Sequence, residues 1–251
     1  MGEKVRRALV TGGGRGIGRA ICETLARDGH DVAILEKDES EVQSVIDRIE
    51  SMGRRGWLGV ADVRDSGQVH RVVEEIAGRW GGIDVLVNNA GITAFVDFPD
   101  LEGLTDDVWD RLYQVNVKGT FFCCRAAVAP MKKQGHGRII NLASVAGLWP
   151  QGSSIAYCCS KAAVIHLSKC LARTVGPEIQ VNVIAPGFIA ETRWNVGRPN
   201  LEPTIAKAAQ VAPLKRVGTA EDIADAALFL ATRGDFMTGD VMVVDGGRLV
   251  G

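Results

Sequence analysis

Apolar residues in this chain fall into short runs separated by longer segments in which apolar positions recur every three to four residues. Runs of strand length cover Val5 to Val10, Asp31 to Leu35, Trp57 to Ala61, Ile83 to Val87, Arg138 to Leu142, Ile179 to Ile184 and Val241 to Val244. Each is almost continuously apolar rather than alternating, the pattern of a strand buried on both faces. Between them, helical periods run from the first glycine cluster to about Asp28, then Glu39 to Met52, Ser66 to Trp80, Thr105 to Val115 and Gly119 to Lys133. Two more run from Ser153 or Ser154 to Ala172 and from Thr219 to Ala231. Strands alternating with helices predict an α/β fold, a Rossmann-like doubly wound parallel sheet of about seven strands with helices on both faces.

No composition break, tandem repeat or low-complexity stretch interrupts residues 1–251, which predicts one domain. Residues 188 to about 214 lack a clean period and contain Trp194, Pro199, Pro203 and Pro213. A long irregular segment of this kind reads as a substrate loop or lid. The helices around Phe121-Phe122 and around Ala162-Ala163 are apolar on too many sides for one buried face, so a second subunit is expected against them.

Composition narrows the role. With 46% hydrophobic and 24% charged residues the chain reads as soluble and globular, and a net charge of -1 disfavours nucleic-acid or membrane-surface binding. The amino terminus has no signal-like apolar core, and no apolar run approaches a membrane span, so a cytoplasmic location is expected. The six cysteines include the adjacent pairs Cys123-Cys124 and Cys158-Cys159, without metal-ligand spacing, and read as reduced, mostly buried thiols. His30, His70, His136 and His166 are scattered, and no metal site is expected.

Chemistry enters at two places. After the first strand comes Thr11-Gly-Gly-Gly-Arg-Gly-Ile-Gly18, in the strand, glycine turn and helix context that binds a pyrophosphate through helix N-terminal amides. Glu36 ends the second strand, 20 residues after Gly16, where an acid can hydrogen-bond an adenosine ribose. The second place is residues 137 to 161, a strand ending near Ser144, a loop, and a helix carrying Tyr157 and Lys161 four residues apart on one face. Bringing a phenol from a pKa of ~10 to about 7 requires roughly 4 kcal/mol of phenolate stabilisation. One positive charge at ~4 Å supplies about 4 kcal/mol at an effective dielectric of ~20. Lys161 is therefore of the right size to activate Tyr157, with Ser144 hydrogen-bonding the oxygen whose proton is exchanged. A Tyr and Lys four apart are by themselves ordinary helix decoration; their company in the chain gives them meaning.

That company is Thr11-Gly12-x3-Gly16-x-Gly18, Asp62-Val63, Asn88-Asn89-Ala90-Gly91, Asn116, Ser144, Tyr157-x3-Lys161 and Pro186-Gly187. In this order and spacing the chain resembles the short-chain dehydrogenase/reductase family from about Val5 to Gly247. The resemblance implies Tyr157 as general acid/base, Lys161 lowering its pKa and binding the nicotinamide ribose, Ser144 holding the substrate oxygen, and Asn116 keeping a water-linked proton path. It implies Gly12, Arg15, Gly16, Ile17 and Gly18 at the pyrophosphate, Asp62 and Val63 at the adenine, Asn89 at the adenosine side and Ile189 at the nicotinamide. A threonine often follows four residues after the glycine of Pro-Gly in this family. Here Glu191 takes that place and Thr192 comes one later, a departure that leaves Thr192 as a candidate only.

Glu36 repels a 2′-phosphate and favours NAD, while Lys37 and Arg15 oppose it as cations placed to meet such a phosphate. NAD is the expected cofactor and NADP the alternative. The leading reading is an NAD-dependent dehydrogenase for a small hydroxylated substrate such as a sugar, polyol or hydroxy acid. The chain is also similar to 3-oxoacyl-carrier-protein reductases, which gives an NADPH-dependent ketoreductase as the alternative, with Arg125 and Lys169 as possible contributors to a docking patch. A catalytically silent cofactor-binding or scaffold protein is a third reading. The family implies a homo-oligomer, a tetramer first, with a small-molecule partner.

Overall fold

The computed structural model describes residues 5–190, 192 and 201–250. Seven strands, β1 (Arg7–Thr11), β2 (Asp31–Glu36), β3 (Gly56–Val60), β4 (Val85–Asn88), β5 (Gly137–Leu142), β6 (Ile179–Pro186) and β7 (Val241–Val244), form one sheet in the order β3-β2-β1-β4-β5-β6-β7. Every neighbouring pair is parallel. Among the described residues eight α-helices follow the chain: α1 (Gly16–Arg27), α2 (Gln43–Ser51), α3 (Ser66–Trp80), α4 (Asp106–Leu112), α5 (Thr120–Gln134), α6 (Ile155–Val175), α7 (Leu201–Val211) and α8 (Ala220–Thr232).

The continuous apolar strands are explained by two cores. Ala8, Val10, Val32 and Ile34 point to the face covered by α1, α2 and α8. Leu9, Ala33 and Leu35, one residue out of step, point to the face covered by α3, α5 and the end of α6. β1 lies between β2 and β4, and the chain crosses from one half of the sheet to the other after β3, so the strand order reverses between β1 and β4. The crevice at such a crossing, at the carboxyl ends of the strands, is where this architecture holds ligands.

Three expectations are corrected. Residues 188 to 214 are not irregular throughout, because α7 occupies Leu201–Val211. Leu201, Thr204, Ile205, Ala208 and Ala209 are its half-buried positions, a helical period, and Pro203 falls in the first turn where a missing N–H is tolerated. Trp194, Pro199 and Glu191 lie outside the described residues. Asn116 does not separate two helices: α4 runs through a π-helical segment, Tyr113–Gly119, directly into α5. Finally, α6 is by length and composition apolar enough to cross a membrane, with mean hydropathy 1.2 in its most apolar window. Its alanines, cysteines and valines raise that mean, and half of the window is buried against the protein.

Candidate active site

The crevice is built first by backbone. β1 ends at Thr11, whose hydroxyl accepts the amides of Asn89 (3.1 Å) and Ala90 (3.0 Å) from the end of β4. Asn89 also donates its side-chain amide to the carbonyls of Thr11 (3.2 Å) and Gly12 (2.8 Å). Asn89, expected at the adenosine side, thus clamps the two strand ends whose separation forms the crevice.

The glycine loop fits a dinucleotide. Gly12 and Gly16 have φ of 67° and 51°, the left-handed region that glycine adopts without cost. A Cβ on Gly18 would stand 2.0 Å from the Gly12 carbonyl oxygen, so the first turn of α1 packs against the loop as only glycine permits. Arg15 begins α1 with no side-chain cap, which leaves the leading amides of Gly16, Ile17 and Gly18 without an internal side-chain acceptor. A pyrophosphate is the chemistry that satisfies them.

At the far side of the cleft, Glu36 ends β2 opposite Val60 and accepts the Lys37 amide at 3.0 Å. Asp62 is paired with Arg64 at 2.7 Å, and the Arg64 guanidinium holds its carboxyl below the usual range. Val63 is buried in the core, and Gly119 makes room for it: a Cβ there would meet Val63 Cγ2 at 2.9 Å. Ile189 is buried and bridges to Gly218. Thr192 donates its amide to Ala190 at 3.0 Å.

Ser144, Tyr157, Lys161 and Asn116 converge. Ser144 leaves β5 in extended conformation, caps the turn Val145–Gly147 by accepting the Ala146 amide at 3.1 Å, and is hydrogen-bonded to the Tyr157 phenol. Ser154 caps α6 by accepting the Tyr157 amide at 3.2 Å, which fixes where the helix starts and so where Tyr157 sits. Lys161 Nζ donates to the Leu142 carbonyl at 3.0 Å and lies 5.8 Å from the Tyr157 ring centroid. Gly91 sits between two of these groups, since a Cβ there would reach Asn116 Oδ1 at 3.3 Å and Lys161 Nζ at 3.5 Å.

Asn116 is fully committed. Its Oδ1 accepts the Ile92 amide at 2.9 Å, and its Nδ2 donates to the Ile92 carbonyl (3.0 Å) and to Ser160 Oγ (3.0 Å). Ser160 in turn donates to the Tyr157 carbonyl at 2.8 Å. The π-helical segment that carries Asn116 turns it out of the α-helical ladder toward the segment after Gly91, as π-bulges at functional sites do. Ser160 and Gly147 were not singled out in the sequence. The one signal available for Ser160 was a serine in the interior of an apolar helix; Gly147 is explained only by the fold, where a Cβ would meet the Lys161 carbonyl carbon at 2.7 Å.

Electrostatically the cluster differs from the simple pair. Burial pushes the Tyr157 phenol up, against a downward pull from Ser144, and burial pushes Lys161 down to about 8. Burial of both groups in the cleft is the dominant influence on each. Among the described residues no group of three or more His, Cys, Asp or Glu is placed to hold a metal. Cavities of about 430 and 460 Å³ lie beside β3 and at the opposite end of the sheet, without any of the cluster residues in their walls. All six cysteines are unpaired; Cys22, Cys123 and Cys124 are buried, and Cys158 and Cys159 half-buried beside Tyr157 in the chain.

Known proteins carry the same framework. The family model described as enoyl-(acyl carrier protein) reductase matches residues 12–248. The 3-oxoacyl-[acyl-carrier-protein] reductase FabG of Escherichia coli is 38% identical over 244 residues, 96% of each chain. Its namesake from Staphylococcus epidermidis is 36% identical over 249 residues, 96% of this chain and 98% of its own. Among solved structures, levodione reductase superposes with a TM-score of 0.92 at 30% identity, over 98% of each chain. A short-chain type dehydrogenase/reductase from Mycobacterium marinum gives 0.86 at 33%, over 97% of this chain and 94% of its own. With likeness of this degree running nearly end to end, the chain belongs to the short-chain dehydrogenase/reductase family.

Proposed function

We propose that this oxidoreductase interconverts a ketone and a secondary alcohol of the 3-oxoacyl and 3-hydroxyacyl type, with Tyr157 as the general acid/base. The observation that carries the proposal is the hydrogen-bonded Ser144 and Tyr157 pair beside buried Lys161. The substrate class is supported by the names of the curated relatives rather than by any residue. When bound, a nicotinamide cofactor supplies the hydride in reduction and takes it up in oxidation. Gly12, Arg15, Gly16, Ile17 and Gly18 would hold its pyrophosphate, Glu36 its adenosine ribose, Asp62, Val63 and Asn89 the adenosine side, and Tyr157, Lys161 and Ile189 the nicotinamide end.

The chain's own part is proton handling. Ser144 Oγ hydrogen-bonds the substrate oxygen and aims it at Tyr157 Oη, which donates a proton during reduction and accepts it during oxidation. Burial keeps the phenol protonated at neutral pH, the form that the reductive direction starts from. Lys161, held by Leu142, stabilises the phenolate that donation leaves, and Asn116 keeps the proton route beside it open.

A second reading has its own observation. Glu36 at the end of β2 favours a free ribose diol, hence NAD(H), and keeps a sugar, polyol or hydroxy-acid dehydrogenase in view. We place the whole chain in a single dinucleotide-binding and catalytic domain, assembled as a cytoplasmic homotetramer. The deciding experiment is a turnover assay with NADH and NADPH against a 3-oxoacyl thioester, and with the oxidised cofactors against polyols and hydroxy acids. Turnover of the thioester is expected. Turnover of a polyol or hydroxy acid with none of the thioester overturns the proposal in favour of the second reading.

A further inference from the structure

The end of β2 holds more charge than Glu36. After it, Asp38 caps the turn Glu39–Glu41 by accepting from Ser40, amide at 3.1 Å and hydroxyl at 2.7 Å. Val42, next in the chain, is fully buried. The turn is packed against the glycine loop: a Cβ on Gly14 would meet Val42 Cγ2 at 3.3 Å and the Glu41 carbonyl carbon at 3.7 Å. Glu41 is thereby held beside Arg15, and the Arg15 guanidinium donates to its carboxylate at 2.7 Å. Both side chains are partly exposed, but the backbone at each end is fixed by buried packing.

Lys37 lies within electrostatic reach of Asp62, which is bonded to Arg64 as well. We infer that Glu41 is a cofactor-specificity residue: it neutralises Arg15, so that the end of β2 offers the Glu36 carboxylate to a ribose diol instead of a guanidinium to a 2′-phosphate. The inference rests on the reading of the crevice as a nicotinamide-dinucleotide site. A phosphate carrying nearly two charges binds strongly only where a cation is free to meet it.

The test is a fluorescence titration with NADH and NADPH of the wild type, Glu41→Gln, Arg15→Ala and the double variant, compared as the ratio of NADPH to NADH dissociation constants. Glu41→Gln is expected to lower that ratio roughly fivefold, the scale of a partly exposed ion pair. In the Arg15→Ala background the same change is expected to leave the ratio where it was. A ratio unmoved by Glu41→Gln, or moved equally with and without Arg15, overturns the role of Glu41. A wild type that binds neither dinucleotide overturns the underlying reading of the crevice, a result separate from either.

Discussion

Tyr157 and Lys161 are 4% and 3% exposed, and each is held by a bond that precedes any substrate: Tyr157 to Ser144, Lys161 to Leu142. Removing only the phenolic oxygen tests the proton role alone. Tyr157→Phe is expected to lower kcat by about 10²–10⁴-fold, the span of positioned acid/base catalysis, with NADH affinity nearly unchanged in a parallel titration. Comparable turnover would exclude Tyr157 as the acid/base. Lys161 also leaves a signature in stability. Below about pH 8 it is protonated folded and unfolded, and the folded state carries the desolvation cost; between about 8 and its usual 10.5 the folded state sheds the proton first. Stability conferred through this group therefore rises with pH in that window, by on the order of 3 kcal/mol at most. Burial raises Tyr157 from its usual 10, which opposes the trend only above that pH. Chemical denaturation from pH 8 to 10 is expected to show wild-type stability climbing relative to Lys161→Met; parallel curves would contradict it.

At the scale of elements, Asn116 decides how the site is held together. Its side chain joins the segment after β4 to Ser160 on α6, so one amide ties three elements. Asn116→Ala leaves the half-buried Ile92 amide and carbonyl without their partner and is expected to cost about 1–3 kcal/mol in urea denaturation, together with a fall in kcat. A variant as stable and active as wild type would show that the tie is dispensable. This element also marks the boundary of what the sequence discloses. The strands were legible to within about two residues because the central ones are buried on both faces and each run is bounded by glycine or a polar turn, as Asp31 and Glu36 bound β2. The spacing of Tyr157 and Lys161 was legible because a helix makes it geometric. The π-helical segment was not, since nothing in the sequence of Tyr113 to Gly119 separates a π-turn from a break between two helices, and the detour is set by the bonds Asn116 makes across the fold. Helix α7 was masked by Pro203, read as a breaker although its place in the first turn removes the conflict. Tyr157 and Lys161 do lie side by side, but the depth of their burial is something no spacing reveals.

At the scale of the whole molecule, apolar surface remains that the chain does not cover. Phe229 on α8, Val243 on β7, Phe236 between α8 and β7 and Val250 after β7 are exposed, and β7 is the last strand of the sheet among the described residues. On α5, Phe121 is exposed and Arg125 stacks over both Phe121 (5.5 Å) and Phe122 (5.2 Å), while α6 leaves Ala162 at the surface. Two separate apolar surfaces, one around β7 and α8 and one along α5 and α6, fit two different self-complementary interfaces, and two such interfaces generate a tetramer with dihedral symmetry. Light scattering after size exclusion is expected to report four subunits for the wild type. Phe229→Asp combined with Val243→Asp places unpaired charges on α8 and β7 alone and is expected to yield dimers that retain the α5 and α6 contact. A wild-type monomer would refute both interfaces. A double variant that stays tetrameric would place the second contact away from β7 and α8.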